Sequence, residues 1–303
     1  MQSLISKYSF LPLLLLFCPF VLTSCLDSST NSGQQRQNIL ETAKEVTQGQ
    51  GGDQVLTTFV GLLEDADLDS TVANNGPLTV IAPTNDAFSN LPEGLLDSLE
   101  TPDLVNILRY HVVEEIVNYT QISGEEEIQS MLGENLFFER VQGATQDSLF
   151  INNSYFLGGL QATNGLIFVV DEVLFPDTYL NAAGLIAKRP QLNSLESAIE
   201  GANLTTTLSD TTAAYTVFAP TNEALENTDL SGDEIQYHVL PEKVFSNGLS
   251  SGTYTTLSGE DITVEVSGGT ITLNGEATIT EANIEGTNGV VHIIDMALSP
   301  PSE

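Results

Sequence analysis

The run Gly248-Leu249-Ser250-Ser251-Gly252 spaces a serine between glycines as a nucleophile elbow does. That elbow needs a strand before it and a helix after it. Here Thr253-Tyr254-Thr255-Thr256 follows and is strand-like, so a glycine-serine turn is expected. Asp65, Asp67 and Asp69 alternate as at the start of a calcium loop. Such a loop needs glycine at its sixth position and glutamate at its twelfth, where this chain has Ser70 and Gly76. Three histidines are present. His111 and His238 each follow a tyrosine at the predicted end of a helix, and His292 lies in an apolar strand. No two have metal-ligand spacing. Histidines so placed are expected to be buried and hydrogen-bonded. Neither a phosphate-binding glycine loop nor a cofactor box is seen, so no catalytic residue, metal or cofactor is expected.

A different chemistry is written at the N-terminus. Lys7 precedes an apolar stretch over 10–22, which is shorter than the roughly 20 residues a membrane span needs. Leu22-Thr23-Ser24-Cys25 follows and resembles the lipobox of bacterial lipoproteins. Cleavage before Cys25 would remove 1–24 as a signal peptide. Lipid on Cys25 would then anchor the chain to a membrane, at about 0.8 kcal/mol per buried methylene. Cys18 leaves with the leader, so no disulfide is expected in the mature chain. Residues 25–36 are rich in Ser, Asn, Gly and Gln and suit a short tether.

Forty-one acidic residues face eight basic ones, for a net charge of −33. Nucleic acid is not an expected partner, because phosphate binding needs a basic patch. The acids are dispersed, and only Glu125-Glu126-Glu127 forms a run. Dispersed acid with few lysines suits solubility in strong salt, where the Debye length is about 3 Å at 1 M. A halophilic or marine origin is the expectation, with divalent-cation binding by the acidic surface as the rival.

The elements that would position any site occur twice. Leu78-Thr79-Val80-Ile81-Ala82-Pro83-Thr84-Asn85-Asp86-Ala87-Phe88 returns as Tyr215-Thr216-Val217-Phe218-Ala219-Pro220-Thr221-Asn222-Glu223-Ala224-Leu225. Tyr110-His111-Val112-Val113 returns as Tyr237-His238-Val239-Leu240. The segment from Thr163-Asn164-Gly165 to Asp171 returns as Thr287-Asn288-Gly289 to Asp295. Two domains follow, at 37–177 and 178–300. In each, a buried strand stops at proline and a helix begins, capped by Thr84 or Asn85 and by Thr221 or Asn222. Amphipathic helices are predicted over 55–63 and 192–199. Asn164-Gly165 and Asn288-Gly289 signal hairpins, followed by apolar strands over 166–175 and 290–298. Further strands are predicted over 136–141, 148–152, 263–266 and 270–273. Helices followed by strands indicate the α+β class. With almost no spacer, the domains should form a fixed or narrowly hinged pair.

These three segments, in this order, resemble the fasciclin domain family, over nearly the whole mature chain. The resemblance implies a wedge of two β-sheets flanked by helices in each domain, and an adhesion or interaction role. It implies that Ala82, Pro83, Thr84, Asn85, Asn164, Gly165, Asp171, Ala219, Pro220, Thr221, Asn222, Asn288, Gly289 and Asp295 hold the fold. It also makes Tyr110, His111, Tyr237 and His238 candidate contact residues, as in some animal members. An aspartate-isoleucine pair tied to receptor binding in animal members has no match here. Gly159-Leu160-Gln161-Ala162 and Asn283-Ile284-Glu285-Gly286 occupy those places, so integrin-type recognition is not carried over. The expected partners are a membrane, through Cys25, and a protein or polysaccharide of the envelope or its surroundings. A binder of lipid or saccharide is the alternative and would need a sizeable pocket.

Overall fold

The computed structural model describes residues 37–46, 55–144 and 146–301. Lys7, Cys25 and the tether lie outside the described residues. The first half runs α1 (Ile39–Val46), α2 (Thr57–Asp65), α3 (Asp69–Asn74), β1 (Leu78–Pro83), α4 (Asn85–Ser89), α5 (Leu95–Ser98), α6 (Thr101–Tyr110), β2 (Val112–Val113), β3 (Glu125–Gln129), β4 (Asn135–Val141), β5 (Ser148–Ile151), β6 (Ser154–Ala162) and β7 (Gly165–Val170). The second half runs α7 (Ala182–Ala187), α8 (Asn193–Gly201), α9 (Thr205–Leu208), β8 (Tyr215–Pro220), α10 (Gly232–Tyr237), β9 (Val239–Leu240), β10 (Gly252–Thr255), β11 (Asp261–Ser267), β12 (Thr270–Leu273), β13 (Ala277–Glu285) and β14 (Gly289–Ile294).

Each half is built on seven strands, ordered β2-β1-β7-β6-β5-β4-β3 and β10-β11-β12-β13-β14-β8-β9. The class is α+β with two tandem domains. β1 pairs in parallel with β7 and β8 with β14, while their other neighbours are antiparallel. β1, β8 and β14 are buried along their whole length, which is why they read as continuous apolar runs rather than as alternating ones. The nine-residue strand β6 joins two parts of its sheet. Its start pairs with β5, its remainder with β7, and a register shift between Phe156 and Gly158 bends it.

That bend creates two cores in each half. In the first, Phe59, Leu63, Val80 and Ile107 pack between the helices and the sheet. Ile81, Leu136, Phe138, Ile151 and Phe168 pack between the two layers of the folded sheet. In the second half, Leu185, Leu195, Val217 and Ile235 fill the helical side, and Phe218, Ile262, Val264 and Ile294 fill the inner one.

Several expectations change. The strands predicted over 166–175 and 290–298 stop at Val170 and Ile294. There Asp171 Oδ1 accepts from Tyr155 N at 2.7 Å and Asp295 Oδ1 from Thr278 N at 2.7 Å, which turns the chain out of the sheet. The β6–β7 connection is Thr163-Asn164, and Gly165 is already paired with Ala162 in the strand. Thr221 still bonds Ala224 N at 3.3 Å, but the residues after it form turns and not the predicted helix. Asn227, Thr228 and Asp229 close that segment, and such side chains compete for backbone bonds. The run Glu125-Glu126-Glu127, for which no element was predicted, is edge strand β3, and charge on an edge discourages strand addition by another chain.

Candidate functional site

The residues repeated between the halves are engaged inside the fold. Thr84 caps α4 by accepting from Ala87 N at 3.2 Å. Asn85, one residue on, reaches the start of a different helix. Its Oδ1 accepts from Thr58 N at 2.9 Å and its Nδ2 donates to Thr57 Oγ1 at 2.7 Å. Asn222 does the same in the second half, accepting from Ser194 N at 2.9 Å and donating to Pro190 O at 2.8 Å. Threonine and asparagine therefore divide two capping duties between them. Ala82, Pro83, Ala219 and Pro220 end the fully buried strands that carry these caps.

Asn164 and Asn288 are three-way junctions. Asn164 Oδ1 accepts from Ile39 N at 2.8 Å, and its Nδ2 donates to Val72 O at 2.9 Å and Asn75 O at 2.6 Å. Asn288 accepts from Ala182 N at 2.7 Å and donates to Leu208 O and Asp210 O at 2.9 Å each. Each joins the first helix of its half to the loop before the first strand. The glycine that follows has no room for a side chain. A Cβ on Gly165 would stand 1.9 Å from Leu78 O, and one on Gly289 would stand 2.8 Å from Tyr215 O. Replacing Asn288 by alanine strands two buried backbone groups and a half-buried one, and is expected to cost about 3 kcal/mol. An unchanged urea midpoint for Asn288→Ala would contradict this junction.

Tyr110, His111, Tyr237 and His238 are each no more than 1% exposed. Tyr110 Oη donates to Asn135 O at 2.7 Å and accepts from Asn152 Nδ2 at 2.7 Å. Tyr237 Oη donates to Asp261 O at 3.0 Å and accepts from Asn274 Nδ2 at 2.9 Å. Asn152 and Asn274 occupy matching left-handed turns, at φ 50° and 52°. His111 Nδ1 donates to Ile107 O at 2.7 Å and its Nε2 accepts from Leu174 N at 3.0 Å. His238 repeats this with Glu234 O at 2.7 Å and Leu298 N at 2.9 Å. Burial pushes both imidazoles down to about 4, although the backbone carbonyl opposes it. His292 Nδ1 accepts from Asn283 N at 3.1 Å and Nε2 donates to Val244 O at 3.0 Å, and burial lowers it too. These four side chains are therefore not displayed at the surface. All three histidines have both ring nitrogens committed to backbone groups, which leaves none to serve a nucleophile. Ser250 lies in the irregular segment leading into β10, with its N–H on Tyr254 Oη at 2.9 Å, so the helix an elbow needs is not there.

Two buried hydroxyls went unnoticed in the sequence. Thr79 Oγ1 donates to Glu115 O at 2.7 Å and accepts from Val117 N at 2.9 Å. Thr216 does likewise with Glu242 O at 2.6 Å and Val244 N at 2.9 Å. A threonine at the same place in both repeats, inside an otherwise apolar strand, was the available signal.

The linker from Asp177 to Arg189, which enters the second half through α7, holds the densest charge cluster described. Lys188 and Arg189, each under 5% exposed, both close on Asp177. Lys188 Nζ donates to Asp177 Oδ1 at 2.7 Å, and Arg189 Nη2 donates to Oδ2 at 2.6 Å. Lys188 Nζ lies 4.6 Å from the Tyr110 ring centroid and Arg189 lies 5.1 Å from that of Phe137. Burial pulls the Lys188 ammonium down. Burial also pushes the Asp177 carboxyl up, but the two cations outweigh it and hold the group below its ordinary value. Asn193 Nδ2 adds a bond to Glu139 Oε2 at 3.2 Å across the same region. The linker is thus packed onto the first half.

Among the described residues no set of three or more His, Cys, Asp or Glu gathers where one metal ion could be held. No described helix is long and apolar enough to cross a membrane. The depressions on the surface are open. One of about 350 Å3, lined in part by Leu91, Asn152, Phe175 and Lys188, runs along the linker. Another, of about 860 Å3, runs past Tyr119, Arg140 and Tyr155 on the first half.

Two folded sheets with helical caps, each repeating one set of internal polar junctions, define a tandem-domain scaffold. The sequence profile of the Fasciclin domain matches residues 54–176 and again 190–300, and the chain belongs to the fasciclin family. A solved FAS1 domain pair from the insect cell adhesion molecule Fasciclin I has the same fold. Its TM-score is 0.51 at 19% identity, over 86% of this chain and 96% of that one. Transforming growth factor-beta-induced protein ig-h3 of Oryctolagus cuniculus is 29% identical over 75% of this chain. The match spans only 35% of that relative's length. Protein sll1483 of Synechocystis is 32% identical over 52% of this chain and 88% of its own length. Cell surface glycolipoprotein MPB83 of Mycobacterium bovis is 36% identical over 37% of this chain and 49% of its own.

Proposed function

We propose that this chain is a lipid-anchored protein of a bacterial cell envelope whose paired fasciclin domains serve as an adhesion or interaction module. In this reading 1–24 is the removed leader, Cys25 carries the lipid, 25–36 is the tether, and the domains occupy 37–177 and 178–300. The observation that carries it is the use made of the repeated polar residues. Thr84, Asn85, Tyr110, His111, Asn164 and Asp171 and their counterparts all hold the fold. The halves are therefore scaffolds, and what distinguishes this protein lies on its surface. Relatives that include a cell surface glycolipoprotein and a cell adhesion molecule support the same class. The Leu22-Thr23-Ser24-Cys25 sequence adds an independent reason to place the scaffold at a membrane. The partner on the far side is a protein or polysaccharide and not nucleic acid, given a net charge of −33.

Anchoring is tested by fractionating cells that express the native chain or Cys25→Ala. The native protein is expected in the membrane fraction, labelled by a fed fatty acid. The variant is expected unlabelled and released. A variant that stays with the membrane would remove the anchor from this reading.

A further inference from the structure

We infer that the open groove on the first half binds a segment of neutral polysaccharide, with Tyr119 and Phe156 as its stacking platform. The inference deepens the interaction reading above and rests on it for the setting in which such a ligand is met.

The groove holds about 860 Å3, within the range of roughly 300–1,000 Å3 usual for ligand sites. Tyr119 and Phe156 are half-buried in it, and Leu157 is 52% exposed. The Tyr119 and Phe156 rings lie 5.1 Å apart, and Phe168 backs Tyr119 edge-on at 5.6 Å from the core side. Tyr155, next along β6, turns to the opposite face and pairs there with Phe150 at 5.6 Å. Rings so braced bind at little entropic cost. Around them the lining is mostly amide and hydroxyl: Gln121, Gln142 and Gln146, with Thr120 and Ser123. Sugars present C–H faces that stack on aromatic rings and hydroxyls that both donate and accept, which is what amides and hydroxyls answer.

Charge narrows the ligand further. Arg140 is in the groove wall, but its guanidinium is turned onto the chain. Its Nε donates to Ile122 O at 2.7 Å and its Nη2 donates to Tyr119 O. Arg140 is a positioning residue that holds the 119–122 loop, and with it Tyr119, over the groove. With Asp147 alongside and a chain charge of −33, the site repels a polyanionic glycan.

The second half supplies an internal control. The bonds of Thr79 to Val117 N and of Thr216 to Val244 N align Tyr119 with Ser246. The bonds of Asp171 to Tyr155 N and of Asp295 to Thr278 N align Tyr155, Phe156 and Leu157 with Thr278, Ile279 and Thr280. Ser246 is bonded there to Asn283, through Asn283 Oδ1 at 2.7 Å and Nδ2 at 2.8 Å, which closes the equivalent place. In the first half Gly159 lets the Tyr119 ring lie there instead, since a Cβ would stand 3.3 Å from Tyr119 Cε1. The same fold forms without these aromatic residues, so the fold does not require them.

The test is affinity electrophoresis of the full-length protein in mild detergent, in gels cast with soluble β-glucan, galactomannan or starch, with alginate as the polyanionic contrast. Retardation is expected in at least one neutral gel and not in alginate. Tyr119→Ala should weaken it about tenfold or more, while Tyr155→Ala, on the opposite face of β6, and Ser246→Ala leave it intact. Tyr119 packs on the core, so Gln121→Ala with Gln142→Ala, both exposed, provides a second set that should weaken binding without lowering the melting temperature. No retardation in any neutral gel overturns the inference. So does retardation that all groove variants retain, or retardation in alginate alone. A chain displayed on cells that fails here loses the polysaccharide site and keeps the interaction module.

Discussion

Between pH 7 and pH 4 the folded chain should lose most of its stability, and His111 and His238 are the reason. Each has a pKa of about 4 when folded, against about 6.5 in an unfolded chain. As the pH falls through 6.5, the unfolded state takes up protons first, so stability is full above that value and declines towards 4. The shift corresponds to about 3 kcal/mol for each imidazole, set against a total of about 5–15 kcal/mol for a typical domain. The hydrogen bonds explain why the fold refuses the proton. Nε2 of each ring accepts from a backbone N–H, of Leu174 in one half and Leu298 in the other. An imidazolium would turn that acceptor into a donor facing a donor. The many surface carboxylates act in the opposite direction, since protonating them relieves repulsion, so urea midpoints should be compared in 1 M salt. The NMR signals of the imidazole Cε1–H groups read the cause directly. They should hold still from pH 7 to 5 in the folded protein. A midpoint near 6.5 for either residue would contradict the account.

The second large effect is expected at Asp177. Asp177→Asn removes the countercharge of two cations that are nearly fully buried, Lys188 and Arg189. Breaking a buried pair by removing one partner costs about 3–5 kcal/mol, because the remaining charge cannot be rehydrated. For a protein of this size that is about 10 °C in melting temperature. Lys188 and Arg189 also lie against Tyr110 and Phe137 of the first half, so the loss should loosen the linker. Calorimetry is expected to show one transition in the native chain and a broadened or divided one in Asp177→Asn. Replacing the trio together, as Asp177→Leu with Lys188→Met and Arg189→Met, should cost much less than the single change. The carboxyl is held below its ordinary value, so its contribution is full above the usual aspartate range and is lost as the pH falls through the folded value. An unshifted melting temperature for Asp177→Asn would show that the cluster does not hold the linker.

Much of the architecture was legible because the chain states it twice. The strand ending in Ala82-Pro83 and its copy ending in Ala219-Pro220 are buried on both faces, and uninterrupted apolar runs say so. The nine-residue strands β6 and β13 were missed. β6 carries Gly158-Gly159 where it bends, and β13 alternates through Glu281, Ala282 and Asn283 past two register shifts, so neither keeps a period of two. Edge strand β3 was hidden by its acids, which are there to guard an edge. For the site residues, composition suggested that Tyr-His at a helix end is buried, while the family resemblance suggested contact. Burial of Tyr110 and Tyr237 decides for the first. The linker cluster was not legible, since Asp177, Lys188 and Arg189 each pass for solvated charges. In a chain with only eight basic residues, two adjacent ones were the signal that was available.

We propose that Cys25 holds this scaffold in the membrane with its domains displayed to the surroundings. External protease added to intact cells, followed by detection of residues 37–300, tests it most directly. The account predicts that the native protein is degraded while a periplasmic marker survives. Protection of the native protein until the envelope is opened would contradict it, and would turn the scaffold inward, to a ligand within the envelope.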